Sequence, residues 1–581
     1  MITGLSKRLV SSSAPFIKVI GNQLESQLGS YRNMSRTTIS KDYPTSTAEP
    51  SKLFPFPGIS WDSTKAVRQV LEENDRGYDI YESARYAHNH FPHSVLTRYA
   101  LGGSSRLLKD TWDHDRPHLV SLDPYDKSRE KENLKEADVP DQIDQSNWGD
   151  RKYVGMKGAY SRYLTFFHGE IARLGPTETL NQYIFTPEAN WESFNTSSSS
   201  DGETKEKDGP MMIDRLVGGV FHPFIHVGFG LEFNDRIVLA EGLAEAAIHS
   251  DELNAPLLTS ECIREIINPS NPTPEHLQIP ARSIPTNEDT LEPTDAREPR
   301  LGRSLLEIYS ILLSSDTLIP EPYNPDSSIN ERIKFASEGG RAEGLRKLIE
   351  DWSLSNEELS DNDQMGWKRK FEELAIFTTL LACATGKKGK PSKVDFFLVH
   401  TLTSSIFIPT YMPVLSIPNR RLLFKAYLLV ILNTALARGR PRIDPELIMS
   451  YDPYPVAPGT DGSVKAKQGD VLGQPDKKES RNPWLSMIES CLAHPDSHVP
   501  KAIRSLLYFT ELYGSTKEGC FIGTYLSGGQ THETINGLSK VDGTVFVRAA
   551  GIIMDQLGWT REGKDHGDWE FSPVGYDEVW K

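Results

Sequence analysis

Apolar residues recur at steps of three and four along several segments of this chain. Examples are "DRIVLAEGLAEAAIHS", "SLLEIYSILLSS", "FEELAIFTTLLACA", "VDFFLVHTLTSSIFI" and "VPKAIRSLLYFTELYG". That period puts the apolar positions on one face of a helix. "STKAVRQVLEEND" predicts a further helix with Ser63 as its N-cap. Strict alternation bounded by turn pairs, the mark of strands, is scarce, and no fixed-period repeat is evident. Four polar stretches, beginning at Asp123, Asn195, Asn268 and Asp452, are too rich in charge, serine, proline or glycine to continue a helix. The segments between them are too short to be separate cores. The pattern predicts an all-α fold, with a single large irregular helical domain over 46–581 carrying long surface loop insertions. A flexible N-terminal extension over 1–45 would precede it.

Composition narrows the partners. The net charge is −16 over 581 residues, with no Lys/Arg stripe, which argues against nucleic acid. The longest apolar run, Leu422 to Ala437, is short for a membrane span and contains Lys425, so it predicts a buried core helix and no membrane. Cys262, Cys383, Cys491 and Cys520 form no CxxC pair, which suits a reducing compartment. The expected location is cytoplasmic. The basic, serine-rich start, with Glu25 its sole acid before Asp42, keeps a mitochondrial presequence as the alternative. "GFGLEF" lacks the strand that a dinucleotide fingerprint needs, and "GKKGKPSK" puts proline where a P-loop needs Ser or Thr.

Of the fifteen histidines, three groups lie against apolar sequence. "YAHNHFPHSVLTRYALGG" holds His88, His90 and His93, and Pro92 predicts a helix start that puts His90 just outside and His93 in the first turn. "GGVFHPFIHVGFG" holds His222 and His226 one turn apart, with Pro223 marking His222 as a cap. "KPSKVDFFLVHTLTSS" puts Lys393 and His400 two turns apart on one predicted helical face. Neutral imidazoles one turn apart chelate metal, and a lysine buried near a helix start loses its charge and can serve as a base or take up CO₂ as a carbamate. The bland alternative is a set of core histidines bonded to carbonyls. His276, His494, His498 and His566 read as loop residues without a role.

The blocks "HNHFPHSVLTRYALGG", "GGVFHPFIHVGFGLEF", "KVDFFLVHTLTSSIFIP" and "GKDHGDWEFSPVGYDEVWK" together resemble the fungal questin oxidase-like family, over most of the chain from Tyr86 onward. Ser94 stands where many relatives have a further histidine. The resemblance implies oxygen-dependent opening of an anthraquinone ring in aromatic polyketide tailoring. It is compatible with an NADPH-dependent Baeyer–Villiger oxidase or with a non-heme iron oxygenase. Imidazole-rich sites suit iron, and iron with open positions suits O₂. The expectation is therefore Fe(II) held by His90 or His93, with His222, His226 and His400, and by Lys393 as a carboxylated lysine or base. Lys393 and His400 would be catalytic, and Phe224, Phe229 and Phe397 would stack on the substrate. NADPH remains a possible reductant. A non-catalytic helical scaffold is the rival reading, and the sequence leaves the oligomeric state open.

Overall fold

Serines hand loops over to helices in this molecule. In the computed structural model the first long helix starts one turn earlier than expected. Ser60 is the N-cap, and Ser63 completes a reciprocal capping box inside the first turn. The structure describes residues 43–581, except 55, 83–87, 124–125, 127, 129–138, 193–208, 252–255, 270–277, 280–299, 363–365, 461–466, 468 and 528–531. The expected N-terminal extension and presequence therefore lie almost wholly outside the described residues. So do most residues of the insertions that begin at Asp123, Asn195 and Asn268, and residues 461–466 and 468 of the one that begins at Asp452. Ser46–Lys581 form one compact unit.

The site is framed by helices α1 (Trp61–Gly77), α2 (Phe91–Ala100), α3 (Tyr160–Leu174), α4 (His222–Glu232), α5 (Arg236–Ile248), α6 (Trp367–Cys383), α7 (Phe396–Ser405), α8 (Ile417–Ala437), α9 (His498–Tyr513) and α10 (Val545–Leu557). Strands among the described residues are confined to two short antiparallel pairs, β1 (Tyr78–Glu82) with β2 (Leu119–Ser121) and β3 (Gln278–Ile279) with β4 (Arg300–Leu301). The fold is all-α, as the periodicity predicts.

α4 and α5 are buried along nearly their whole length and pack on each other. Glycine makes the approach possible. A Cβ on Gly230 would lie 2.7 Å from the Cα of Leu239 on α5. α9 packs on both α2 and α7, which brings three distant parts of the chain together. α8 is the expected core helix. Its Lys425 is buried, donates to the carbonyls of Ile349 and Trp352, and is pushed down to about 7 by burial. Among the described residues no helix is long and apolar enough to cross a membrane.

Candidate metal centre

Four imidazoles converge where α2, α4, α7 and α9 meet. His90 precedes α2, His222 opens α4, His400 lies in α7 and His498 opens α9. One nitrogen of each lies within 4.8 Å of the other three. His90 is half-buried and the others are buried.

The backbone is strained to deliver His222. Gly219, Val220 and Phe221 all have positive φ, at 54°, 55° and 67°. Such a conformation costs about 1–3 kcal/mol per non-glycine residue, most for a β-branched valine. A Cβ at Gly219 would lie 2.2 Å from the His249 ring, so only glycine fits there. The turn sets the Gly219 carbonyl 2.6 Å from Nδ1 of His222. His222 itself is the first helical residue, not the cap, because Phe221 already occupies the cap position.

Each ring is anchored on its outer side. His400 Nδ1 donates to the Phe396 carbonyl at 2.7 Å. His498 Nδ1 donates to Asp496 at 2.9 Å, and the other Asp496 oxygen accepts from Trp569 Nε1 at 2.8 Å. His90 Nδ1 lies 3.3 Å from the Glu82 carboxylate. A hydrogen spent outward at Nδ1 leaves Nε2 as an inward lone pair, the arrangement that orients imidazole ligands. Nε2 of His400 and His498 are buried without a hydrogen-bond partner. Nε2 of His90 and His222 are 2.9 Å apart. Lone pairs so disposed repel unless a proton or a cation sits among them.

Electrostatics agree. Burial pushes His222 and His400 well below the usual range and His498 down to about 3, so these rings are neutral. Burial works to raise the Asp496 carboxyl, but His498 outweighs it and holds the group low. Glu82 is lowered in the same way, with His90 outweighing burial. Two ionised carboxylates therefore stand behind the rings, which suits a dication in front of them. Lys501, one turn after His498 on α9, is buried, and its Nζ has no hydrogen-bond partner. Burial pushes that amine down to about 7.

Several expected site residues fall elsewhere. His93 is outside the four-ring group, its ring centre 6.0 Å from that of His90, and both its nitrogens are buried without partners. His226 also turns away. Its Nε2 is 3.0 Å from Glu241, and its Nδ1 is 3.5 Å from Glu245. Burial pushes His226 down to about 3 and both glutamates well up, so the group is a neutral buried network.

Lys393 is not on the helix of His400. Asp395 caps α7 by accepting from the amides of Phe397 and Leu398, so the helix begins beyond Lys393. The lysine instead pairs with Glu570, near the Trp580 ring, and its side chain is 30% exposed. The shared-face argument for a carboxylated Lys393 fails because the helix it needs is too short. Phe224 stacks on Tyr411, and Phe229 packs on Phe407 and His93. Both are fully buried core residues, with no surface for a substrate. Phe397 is the exception, and it lines a cavity.

His498 went unrecognised, although a signal was present. Histidine stands at the start of a helix whose first turn holds a proline three times: His90 with Pro92, His222 with Pro223, His498 with Pro500.

A buried, carboxylate-backed set of imidazoles on a helical frame defines a candidate metal-dependent redox site. The chain belongs to the Questin oxidase-like family, whose match spans residues 87–506 and so includes all four rings. It is similar to a protein named Baeyer-Villiger oxidase ptaJ from Pestalotiopsis fici, at 23% identity over 76% of this chain and 80% of that one. A questin oxidase of Aspergillus terreus is 22% identical over 76% and 79% of the two chains. The Baeyer-Villiger monooxygenase AacuH of Aspergillus aculeatus is 22% identical over 90% and 91%. Membership makes the chain an oxidoreductase.

Proposed function

We propose that this protein is a non-heme iron oxygenase that opens a ring of an anthraquinone-type aromatic polyketide in fungal secondary metabolism. The observation that carries the reading is the four-ring set, each ring anchored at Nδ1 and presenting its other nitrogen to a common point. Orphaned, buried Nε2 atoms on His400 and His498 are what a bound cation would satisfy. An all-imidazole donor set suits iron, zinc or copper, and the oxidase names of the relatives favour a redox metal. His90, His222, His400 and His498 would hold it. Bound Fe(II) would supply the capacity to bind and activate O₂.

The chain's own groups supply the rest. Asp496 and Glu82 fix two ring orientations and balance the metal's charge. Lys501 takes the part expected of Lys393. A dry amine with no partner, beside neutral imidazoles, would serve as a base for a substrate phenol, or would add CO₂ with loss of a proton to give a carbamate able to offer the metal an oxygen donor. The buried walls exclude water from the reacting atoms.

The names of the relatives support a second reading, Baeyer–Villiger oxygen insertion with NADPH as reductant. One preparation distinguishes the two. Elemental analysis is expected to give one iron per chain with no flavin absorbance. Chelation should abolish turnover of a hydroxyanthraquinone, Fe(II) should restore it, and NADPH should not be consumed in step with product. Full turnover in iron-free protein, or a stoichiometric flavin, would overturn the iron reading.

A further inference from the structure

The C-terminal tail does more than anchor Asp496 through Trp569. Phe571, two residues on, is 55% exposed and stacks on Phe396, with ring centres 4.6 Å apart and planes at 29°. Phe396 in turn lies 4.8 Å from the His400 ring and 4.9 Å from that of His498. A series of rings therefore runs from the histidines to Phe571. Phe571 is also a wall of a cavity of about 320 Å³, shared with Tyr323, Ile329, Arg332, Phe397 and Arg438.

Two arginines stand in that wall, and Arg332 donates through Nε and Nη2 to the carbonyls of Ser327 and Asn324. Arg438 donates to Asp395 and to the Phe571 carbonyl, and its guanidinium sits 4.8 Å over the Phe397 ring. Arg332 is 2% exposed, and its Nη1 is buried without a hydrogen bond, 3.9 Å from Glu321 Oε2. A buried guanidinium with a donor unspent is costly unless an acceptor visits it. The volume is at the low end of the roughly 300–1,000 Å³ typical of ligand pockets, enough for a few fused rings and too small for a dinucleotide.

We propose that this cavity is the substrate-recognition site. The planar rings of an aromatic polyketide seat against Phe397 and Phe571, and Arg332 selects for an acidic oxygen, a phenolate or its hydrogen-bonding equivalent. The stacked rings of Phe396 and Phe571 stand between the cavity and the histidines. The substrate class rests on the reading given under Proposed function; the cavity and its chemistry do not depend on iron.

The test is binding, measured on chelated protein so that turnover plays no part. A dihydroxyanthraquinone and its di-O-methyl ether are titrated into wild type, Phe571→Ala and Arg332→Gln. Wild type is expected to prefer the free phenol. Removing one stacked ring at an exposed position should weaken both ligands about tenfold. Arg332→Gln should bind the two ligands alike. Because Arg332 is buried, Phe571→Ala carries the test if Arg332→Gln does not fold, and Phe571→Trp should also shift the affinity. Unchanged affinity in both Phe571 variants overturns the site. Affinity lost as expected, with no iron in the protein as purified before chelation, keeps the site and removes the iron reading. Normal iron with unchanged binding does the reverse.

Discussion

His222 and His226 stand one turn apart on the same helix and are both buried, yet they belong to different chemistry. His222 joins His90, His400 and His498, where carbonyls or carboxylates meet each ring on its outer nitrogen and the four inner nitrogens face one another. His226 faces Glu241 and Glu245, four residues apart on α5, with a carboxyl group near each of its nitrogens. In the first group the free lone pairs point at one another, which favours a cation. In the second, burial neutralises ring and carboxyls alike and leaves a polar core network. A histidine pair at helical spacing is therefore a metal site only if what stands behind each ring leaves the other nitrogen free.

The largest effect should come from His498→Ala. It removes one of four donors, so most of the iron should be lost and turnover should fall by more than about a hundredfold, read by elemental analysis and product formation. If His498→Ala keeps a full complement of metal, the two groups have been assigned the wrong way round. Asp496→Asn should weaken metal affinity by about 10- to 100-fold, because the amide no longer fixes the His498 tautomer or balances charge. Competition with a chelator measures it, and the helix content should not change.

His226→Ala should give the opposite pattern. Iron content should stay near wild type, while a buried cavity and a Glu241 oxygen left without its partner cost about 2–4 kcal/mol, seen as a lower unfolding midpoint in urea. Glu245→Gln sharpens this with pH. Glu245 is raised well above the usual carboxyl range by burial, so the folded state holds its proton more tightly than the unfolded chain. Its contribution is whole below about pH 4.3 and is lost as the pH rises toward the folded value. The glutamine variant has no such titration, so its stability relative to wild type should improve steadily above that pH. The smallest effect belongs to Lys393→Met, which breaks a half-exposed ion pair with Glu570 and should cost no more than about 1 kcal/mol with unchanged iron. Loss of iron in that variant would return Lys393 to the site.

Much of the fold was legible because helical periodicity is local. α5, α6, α8 and α9 carry it over three or more turns and α7 over nearly three, and the apolar run of α8 was read as core despite Lys425. Boundaries were less legible. Ser60, not Ser63, caps α1, and Asp395 ends the approach to α7, a change of three residues that removed Lys393 from consideration. His498 was passed over because "HPDSHVP" has the composition of a loop. The sequence pattern points to Lys393 as the buried lysine, whereas Lys501, one turn beyond His498, is the one the fold buries.

The amino-acid sequence by itself determined that the chain is helical, that histidines enter apolar helices beside prolines, and which family it joins. These are properties of short stretches, set by the residue spacing of a helix and by the fixed φ of proline. Only the tertiary structure decided which rings meet. α9 lies about a hundred residues beyond α7 in the chain, yet it packs against both α2 and α7, and only that packing brings His498 to His90 and His400. Two imidazoles one turn apart look alike in sequence because the carboxyl groups that capture one of them come from a neighbouring helix, α5. The outer anchors that free the other lie on separate segments whose approach no local pattern encodes.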